Sequence, residues 1–348
     1  MAKIFQTLTS DDYILSRQEV VTATAWSDNS TTMSTFFTSS TQSGSSGDYY
    51  LDLYDKDINT DSTAVSQFSV AYGHIAGSGS NKESGARKGD TTSKAIWSQY
   101  KQLLLEDGTT TWTTQEAGKS AARSMEHFHV INFNRARMKE ALDPGNWELT
   151  LSSSLATTTA GHPSKITLID DSGDNSGTAG IAGKVYSIRS GSMSAGVLSA
   201  SPHYGKFYPE HGTILLDAGL ISSHSMGGAD GVGVRSGSSM DYPAEPAKFY
   251  NHVKGGASFK ARSTQQLTST YYFIRVKNQD FNFSNNPSFI TGSNGTLRNS
   301  AMIKNPQVYI TTVGLYNNNN ELLAVAKLSK PLLKNFSREA LIKVKLEY

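Results

Sequence analysis

The segment ALIKVKLEY at residues 340–348 is the tightest folding constraint in the chain. Ile342, Val344, Leu346 and Tyr348 occupy one phase of a two-residue period, and Lys343, Lys345 and Glu347 occupy the other. A helix would scatter these side chains around its axis, whereas a strand sorts them into one apolar face and one charged face. The segment is therefore expected to be paired within a sheet, and its removal to damage the fold.

The stretch NPQVYITTVGLYNNNNELLAVAKLSKPLLK, just upstream, extends the same logic. Two apolar runs, Val308 to Tyr316 and Glu321 to Leu328, flank Asn317 to Asn320. Asparagine tolerates left-handed backbone geometry and bonds its own backbone, so the run predicts a hairpin turned over about four residues. Serine, threonine, asparagine and glycine are abundant and charged residues reach only 18%, a balance suited to strands and long turns. The length of 348 residues suits one large domain or two ordinary ones, with roughly three quarters of the unfolded surface buried.

Several function classes drop out on composition. The chain has no cysteine, which removes disulfides, thiolate catalysis and cysteine-ligated zinc. Its 32 basic and 30 acidic residues leave a formal charge of +2, so no phosphate-tracking surface is expected and nucleic acid is not an expected partner. The start MAKIFQTLTSDDYIL lacks a long apolar core, and no apolar run approaches the roughly 20 residues of a membrane helix. The expectation is a soluble product of the cytoplasm with no membrane insertion.

Pattern changes along the chain suggest its organisation. Residues 1–125 combine a strand (Val20 to Trp26), polar loops (Thr38 to Gly47 and Gly77 to Thr92) and a short strand, SQFSVAYGH. One amphipathic helix follows in SKAIWSQYKQLLLE, where Ile96, Trp97, Tyr100, Leu103 and Leu104 form a stripe. From Glu126 the pattern becomes strands: HFHVINF, a helical RARMKEAL stopped by Asp143-Pro144-Gly145, then NWELTLSS. The glycine- and serine-rich interval 157–201 carries KITLID and KVYSIR and reads as an inserted arm. Residues Ser223 to Pro246 form a further loop. The expected class is mainly β: a β-sandwich-like C-terminal body over 126–348 and a mixed α+β region over 1–125. No internal repeat of fixed period is present.

Candidate chemistry is sparse. Gly118-Lys119-Ser120 resembles the end of a phosphate loop, but Thr113 stands where the motif needs glycine, and Gly231 and Gly233 are out of register with a dinucleotide fingerprint. His127 and His129, two apart on a strand, are the candidate metal ligands, since their rings project from one face. The other histidines show no companion spacing. Asp55, Asp57, Asn59 and Asp61 alternate like a calcium loop, yet Thr60 and Ser66 replace its glycine and its bidentate glutamate; Asp170, Ser172 and Asp174 raise the same idea. No serine lies in a nucleophile elbow, and Asp170-Asp171 sits in a polar loop, so no catalytic residue and no cofactor is assigned. The aromatic-rich stretch around SNNPSF supplies Tyr271, Phe281, Phe283 and Phe289 as interface candidates, with Tyr272 and Phe273 beside them. Trp112 and Tyr204 are the aromatics a glycan-binding module would expose.

Several phrases resemble those of virion structural proteins from large contractile-tailed bacteriophages. They are SVAYGHIAGSGS, AIWSQYKQLLL, HVINFNRARMKEALDPGNWELTL, FYPEHGTILLDAG, STYYFIRVKNQDFNFSNNPSF and VYITTVGLYNNNNELLAVAKLSKPLLK. The last is similar to a hairpin of tail-fibre and baseplate attachment proteins. The resemblance implies a non-enzymatic building block of a phage tail, of the baseplate wedge or fibre-attachment type. It also implies other tail or baseplate proteins as partners and an oligomeric assembly, made in the host cytoplasm and residing in the virion. Collar, neck and head-to-tail connector proteins share such compositions and stand as the alternative, beside a glycan- or receptor-binding module.

Overall fold

The computed structural model describes residues 5–39, 50–78, 91–116, 121–152, 165–198, 202–224, 245–284 and 286–347. In chain order the strands begin with β1 (Tyr13–Thr24), β2 (Thr32–Met33), β3 (Tyr50–Tyr54) and β4 (Ser66–His74), followed by helix α1 (Thr92–Leu104). Next come β5 (Trp112–Gln115), β6 (Ala122–Met125), β7 (His127–Phe133) and the short α2 (Arg135–Met138). The middle of the chain forms β8 (Ala141–Leu142), β9 (Glu148–Ser152), β10 (Lys165–Asp170), β11 (Thr178–Gly180) and β12 (Gly183–Ser192). It continues through β13 (Gly196–Val197), β14 (Gly205–Tyr208), β15 (Thr213–Asp217), α3 (Ala218–His224) and α4 (Glu245–Gly256). The remainder is β16 (Ser258–Lys260), β17 (Arg262–Val276), β18 (Ile290–Thr291), β19 (Thr296–Leu297) and α5 (Ala301–Lys304). Last come β20 (Val308–Tyr316), β21 (Leu322–Lys334) and β22 (Ala340–Glu347). The fold is mainly β, as the composition predicts.

Two compact units share these elements: Val21–Gln265, and Met1–Val20 together with Gln266–Tyr348. The chain passes between them twice, inside β1 and inside β17. The change of pattern at residues 125 and 126 falls within the larger unit, between the two strands β6 and β7.

The larger unit is built on one antiparallel sheet in the order β2-β16-β9-β10-β12-β14-β15-β7-β4-β3. KITLID and KVYSIR lie in β10 and β12, both interior to this order, so the described part of the expected insertion, residues 165–198, belongs to the central sheet. Their glycine-rich flanks form turns and the small add-on strands β11 and β13, which pair with β12. Phe37 and Tyr54 exchange both backbone hydrogen bonds, at 3.1 and 2.8 Å. The segment that begins as β2 beside β16 thus ends beside β3, and the sheet curls until its ends meet.

Alternation sorts the side chains of this sheet into two cores. Phe68, Val70, Ile131 and Phe133 face inward with Trp26, Phe36, Trp147, Phe207 and Phe259, all buried. Rings meet at 5.2 Å (Trp26 to Phe259) and 5.3 Å (Phe68 to Phe259), contacts worth about 0.5–1.5 kcal/mol each beyond burial. On the other face Ala71, Phe128 and Val130 receive α1 through Ile96, Trp97 and Leu104. Gly73 permits that approach: a Cβ there would lie 2.7 Å from the Phe128 ring and 3.2 Å from Trp97 Cα.

The smaller unit layers the sheet β1-β17-β22 against the hairpin β20–β21. The expected sandwich-like packing is therefore confined to this unit. Ile274, Val276, Ile342 and Val344 from the sheet meet Ile310, Val313, Leu315, Ala326, Leu328 and Leu332 from the hairpin.

Candidate functional site

β4 and β7 pair with Tyr72 opposite His129 and His74 opposite His127. The two histidines of HFHVINF thus acquire cross-strand neighbours on the same inner face, including a third histidine that sequence spacing did not reveal. The signal was available: both strands are apolar on this face except at one end, where YGH and HFH each supply two rings. At that end the aromatic interior becomes polar, and helix α4 packs across it from β9 to β4 and β3.

The rings are close. His74 and His127 meet edge to face at 5.4 Å, and the Tyr72 hydroxyl lies 3.2 Å from His127 Nδ1. His129 stacks on Phe249 of α4 at 4.7 Å with an interplanar angle of 6°. Its side chain is fully buried, and neither ring nitrogen has a hydrogen-bond partner among the described residues. The Ala76 backbone N–H donates to His74 Nδ1 at 2.9 Å, which leaves the ring proton on Nε2. Gly219 of α3 closes the patch: a Cβ there would come 2.9 Å from His127 Nε2 and would collide with the Arg123 guanidinium.

Arg123 faces Asp217 at 3.7 Å and Glu116 at 3.6 Å. Asp217, buried at the end of β15, accepts hydrogen bonds from Thr114 Oγ1 (2.8 Å) and from the N–H groups of Gly219 (2.9 Å) and Leu220 (3.1 Å). Burial nevertheless pushes its carboxyl upward, against the lowering effect of Arg123 and these donors. Burial, reinforced by His74 and Arg123, lowers His127 to about 4. It lowers His129 further below the ordinary imidazole range, helped by His127, His252 and Lys248. The Tyr72 hydroxyl is raised by burial and by the Glu245 carboxylate. This is an arrangement of neutral imidazoles in an apolar setting. Among the described residues no three histidine, aspartate or glutamate side chains converge as metal ligands would; His127 and His129 both pack against the Tyr72 ring.

The other candidates disperse. Asp57 and Asp61 bond their own turns through Asn59 N–H (2.9 Å) and Thr63 N–H (2.8 Å), while Asp55 accepts from Val65 N–H at 2.8 Å. Asp170 accepts from the N–H groups of Gly145 and Ser172, and Asp171 from Ser187 N–H. Both patterns are turn chemistry. Trp112 and Tyr204 are buried, the Trp112 indole donating to Tyr208 Oη at 2.9 Å, so neither is the exposed platform that glycan binding requires. Gly118-Lys119-Ser120, Gly231 and Gly233 lie outside the described residues, as do most of the polar loops.

The aromatic-rich stretch divides because neighbours on a strand face opposite ways. Tyr272 and Phe281 pack into the core of the smaller unit. Tyr271 lies on the outer face of β17, with the Lys343 ammonium 4.2 Å from its ring centroid. Phe283 and Phe289 form an edge-to-face pair at 5.1 Å, with Phe283 half exposed. Sequence reasoning missed a group of exposed apolar side chains. Hairpin β20–β21 turns Tyr309 (61% exposed), Leu323 (67%) and Val325 (58%) outward, with Tyr316 and Leu322 beside them. The sign was present in ELLAVA, where both phases of the alternation are apolar.

No protein-family model, no curated protein sequence and no solved structure matches this chain.

Proposed function

We propose that the chain is a structural component of a bacteriophage tail, of the baseplate wedge or fibre-attachment type, acting by assembly with other tail proteins and not by catalysis. The observation that carries this reading is the outer face of hairpin β20–β21. Its tyrosine, leucine and valine side chains are exposed, and exposed large apolar side chains grouped on one element are of the kind that marks a protein interface. The phrases that resemble phage virion proteins include this hairpin, and they supply the class of particle. The buried polar patch beneath α4 fits the same reading as an internal closure of the larger unit, since its rings pack on one another and on Phe249.

Quantitative mass spectrometry of purified phage particles tests the proposal. The chain is expected in whole-number stoichiometry with known tail proteins; its presence in infected cells but not in particles overturns the reading.

A further inference from the structure

The sequence holds one Asn-Gly pair, Asn294-Gly295, and the fold sets it at the tip of a hairpin. β18 and β19 pair through Ile290 with Leu297 and Thr291 with Thr296, so the loop between them runs from Gly292 to Gly295. All four loop residues are exposed. Both glycines have positive φ, +71° and +68°, and a Cβ built on either one meets no atom within 4 Å. A two-stranded ladder this short is marginal on its own and opens at little cost. Asn294 is thus joined to a residue without a side chain, in open solvent, on a loop free to turn.

From these features we infer that Asn294 is a modification site, at which the chain deamidates spontaneously through a succinimide. The backbone nitrogen of Gly295 gives its proton to solvent base and attacks Cγ of Asn294. The N–Cγ bond forms, the Cγ–Nδ2 bond breaks, and Nδ2 takes up a proton from water and leaves as ammonia. Water then opens the ring. Addition at Cγ gives aspartate; addition at the backbone carbonyl of residue 294 gives isoaspartate, whose main chain runs through the former side chain. Nothing is oxidised or reduced, and the net change is NH2 for OH. Other asparagines lack this combination. Asn299 accepts from Ala301 N–H at 3.1 Å and precedes Ser300, and Asn317 accepts from the N–H groups of Asn319 and Glu321 and precedes Asn318. Each of those side chains is held, and each next residue carries a Cβ. The consequence is local but well placed. Isoaspartate adds one carbon to the main chain of the loop and a carboxylate at its tip, so the register of β18 and β19 is expected to fail. Arg298 N–H donates to Phe289 O at 3.1 Å, so the base of the same hairpin carries Phe289, the ring partner of Phe283. The modification is an ageing mark on the element that holds two interface candidates, and it does not depend on the tail assignment.

Timed incubation of the purified full chain in mildly alkaline buffer, followed by peptide mass spectrometry, tests it. Asn294 is expected to lose its amide at least ~10-fold faster than Asn299 or Asn317, a barrier difference of about 1.4 kcal/mol. Enzymatic methylation specific for isoaspartate should label the same peptide, and N294Q should abolish the label. G295A should slow the reaction at least ~10-fold. Because alanine at a positive φ strains the turn, a second measurement uses the unaltered chain: the rate at Asn294 should rise with pH, as base removes the proton from the Gly295 nitrogen. Equal rates at Asn294 and Asn299, a wild-type rate in G295A, or a rate indifferent to pH overturns the inference.

Discussion

At the scale of single residues, the most informative group is His129. A buried imidazole without a hydrogen-bond partner costs about 1–3 kcal/mol, and here it stacks on Phe249 where a phenyl ring would serve as well. His129→Phe is expected to raise the melting temperature at neutral pH. The sign of the pH dependence follows from proton binding. His127 and His129 titrate lower in the folded chain than in the unfolded one, so below the unfolded value near 6.5 the unfolded state takes up protons that the fold excludes. Stability is therefore full above pH ~6.5 and falls as the pH drops toward the folded value of about 4 for His127. Between pH 7 and pH 5 the loss from His127 alone is about 2 kcal/mol, at 1.4 kcal/mol per pK unit. Thermal melts across this range should show a steep acid limb for wild type and a shallower one for His129→Phe. Equal slopes in the two proteins would remove the histidine patch from the account.

At the scale of elements, the hairpin turn shows how directly sequence can set structure. Asn317 accepts from the N–H groups of Asn319 (2.9 Å) and Glu321 (2.8 Å), and Asn320 adopts φ +62°. These are the two properties of asparagine from which the turn was expected, although the loop runs to five residues, 317–321, because Tyr316 pairs with Leu322. Asn320→Gly should be neutral or stabilising by a few tenths of a kcal/mol, since glycine reaches positive φ without strain. Asn317→Ala should cost about 1 kcal/mol through its lost bonds; chemical denaturation of both variants separates the two effects. The strands β4, β9 and β22 and helix α1 were legible for the same reason, that each has one apolar face. The strands β10 and β12 were legible as strands but not as central ones. Their place in the sheet depends on pairing with β9 and β14, and local composition, rich in glycine at their turns, says nothing about which partner lies alongside. The three-ring patch of Tyr72, His74 and His127 was hidden for a related reason: it is a product of register between strands more than 50 residues apart. The exposure of Leu323 and Val325 was hidden because an apolar strand with both faces apolar reads as buried.

At the scale of the whole molecule, two compact units with separate cores predict separable responses. β22 supplies Ala340, Ile342 and Val344 to the core of the smaller unit, so a chain ending at Arg338 should lose that core. Amide hydrogen exchange is then expected to rise throughout 269–276 and 308–334, while β4, β7 and β15 keep their protection; loss of protection in all of them together would show that the units fold only as one. The central claim is that the outer face of hairpin β20–β21 makes this chain a part of a larger particle. Its most direct test is to supply L323D/V325D in place of the wild-type chain during phage growth and to weigh both proteins in purified particles by mass spectrometry. Both substituted side chains are already exposed, so the variant should fold and remain soluble, and the account predicts that it is missing from particles that contain the wild-type chain. Incorporation of the variant at the wild-type level would contradict it.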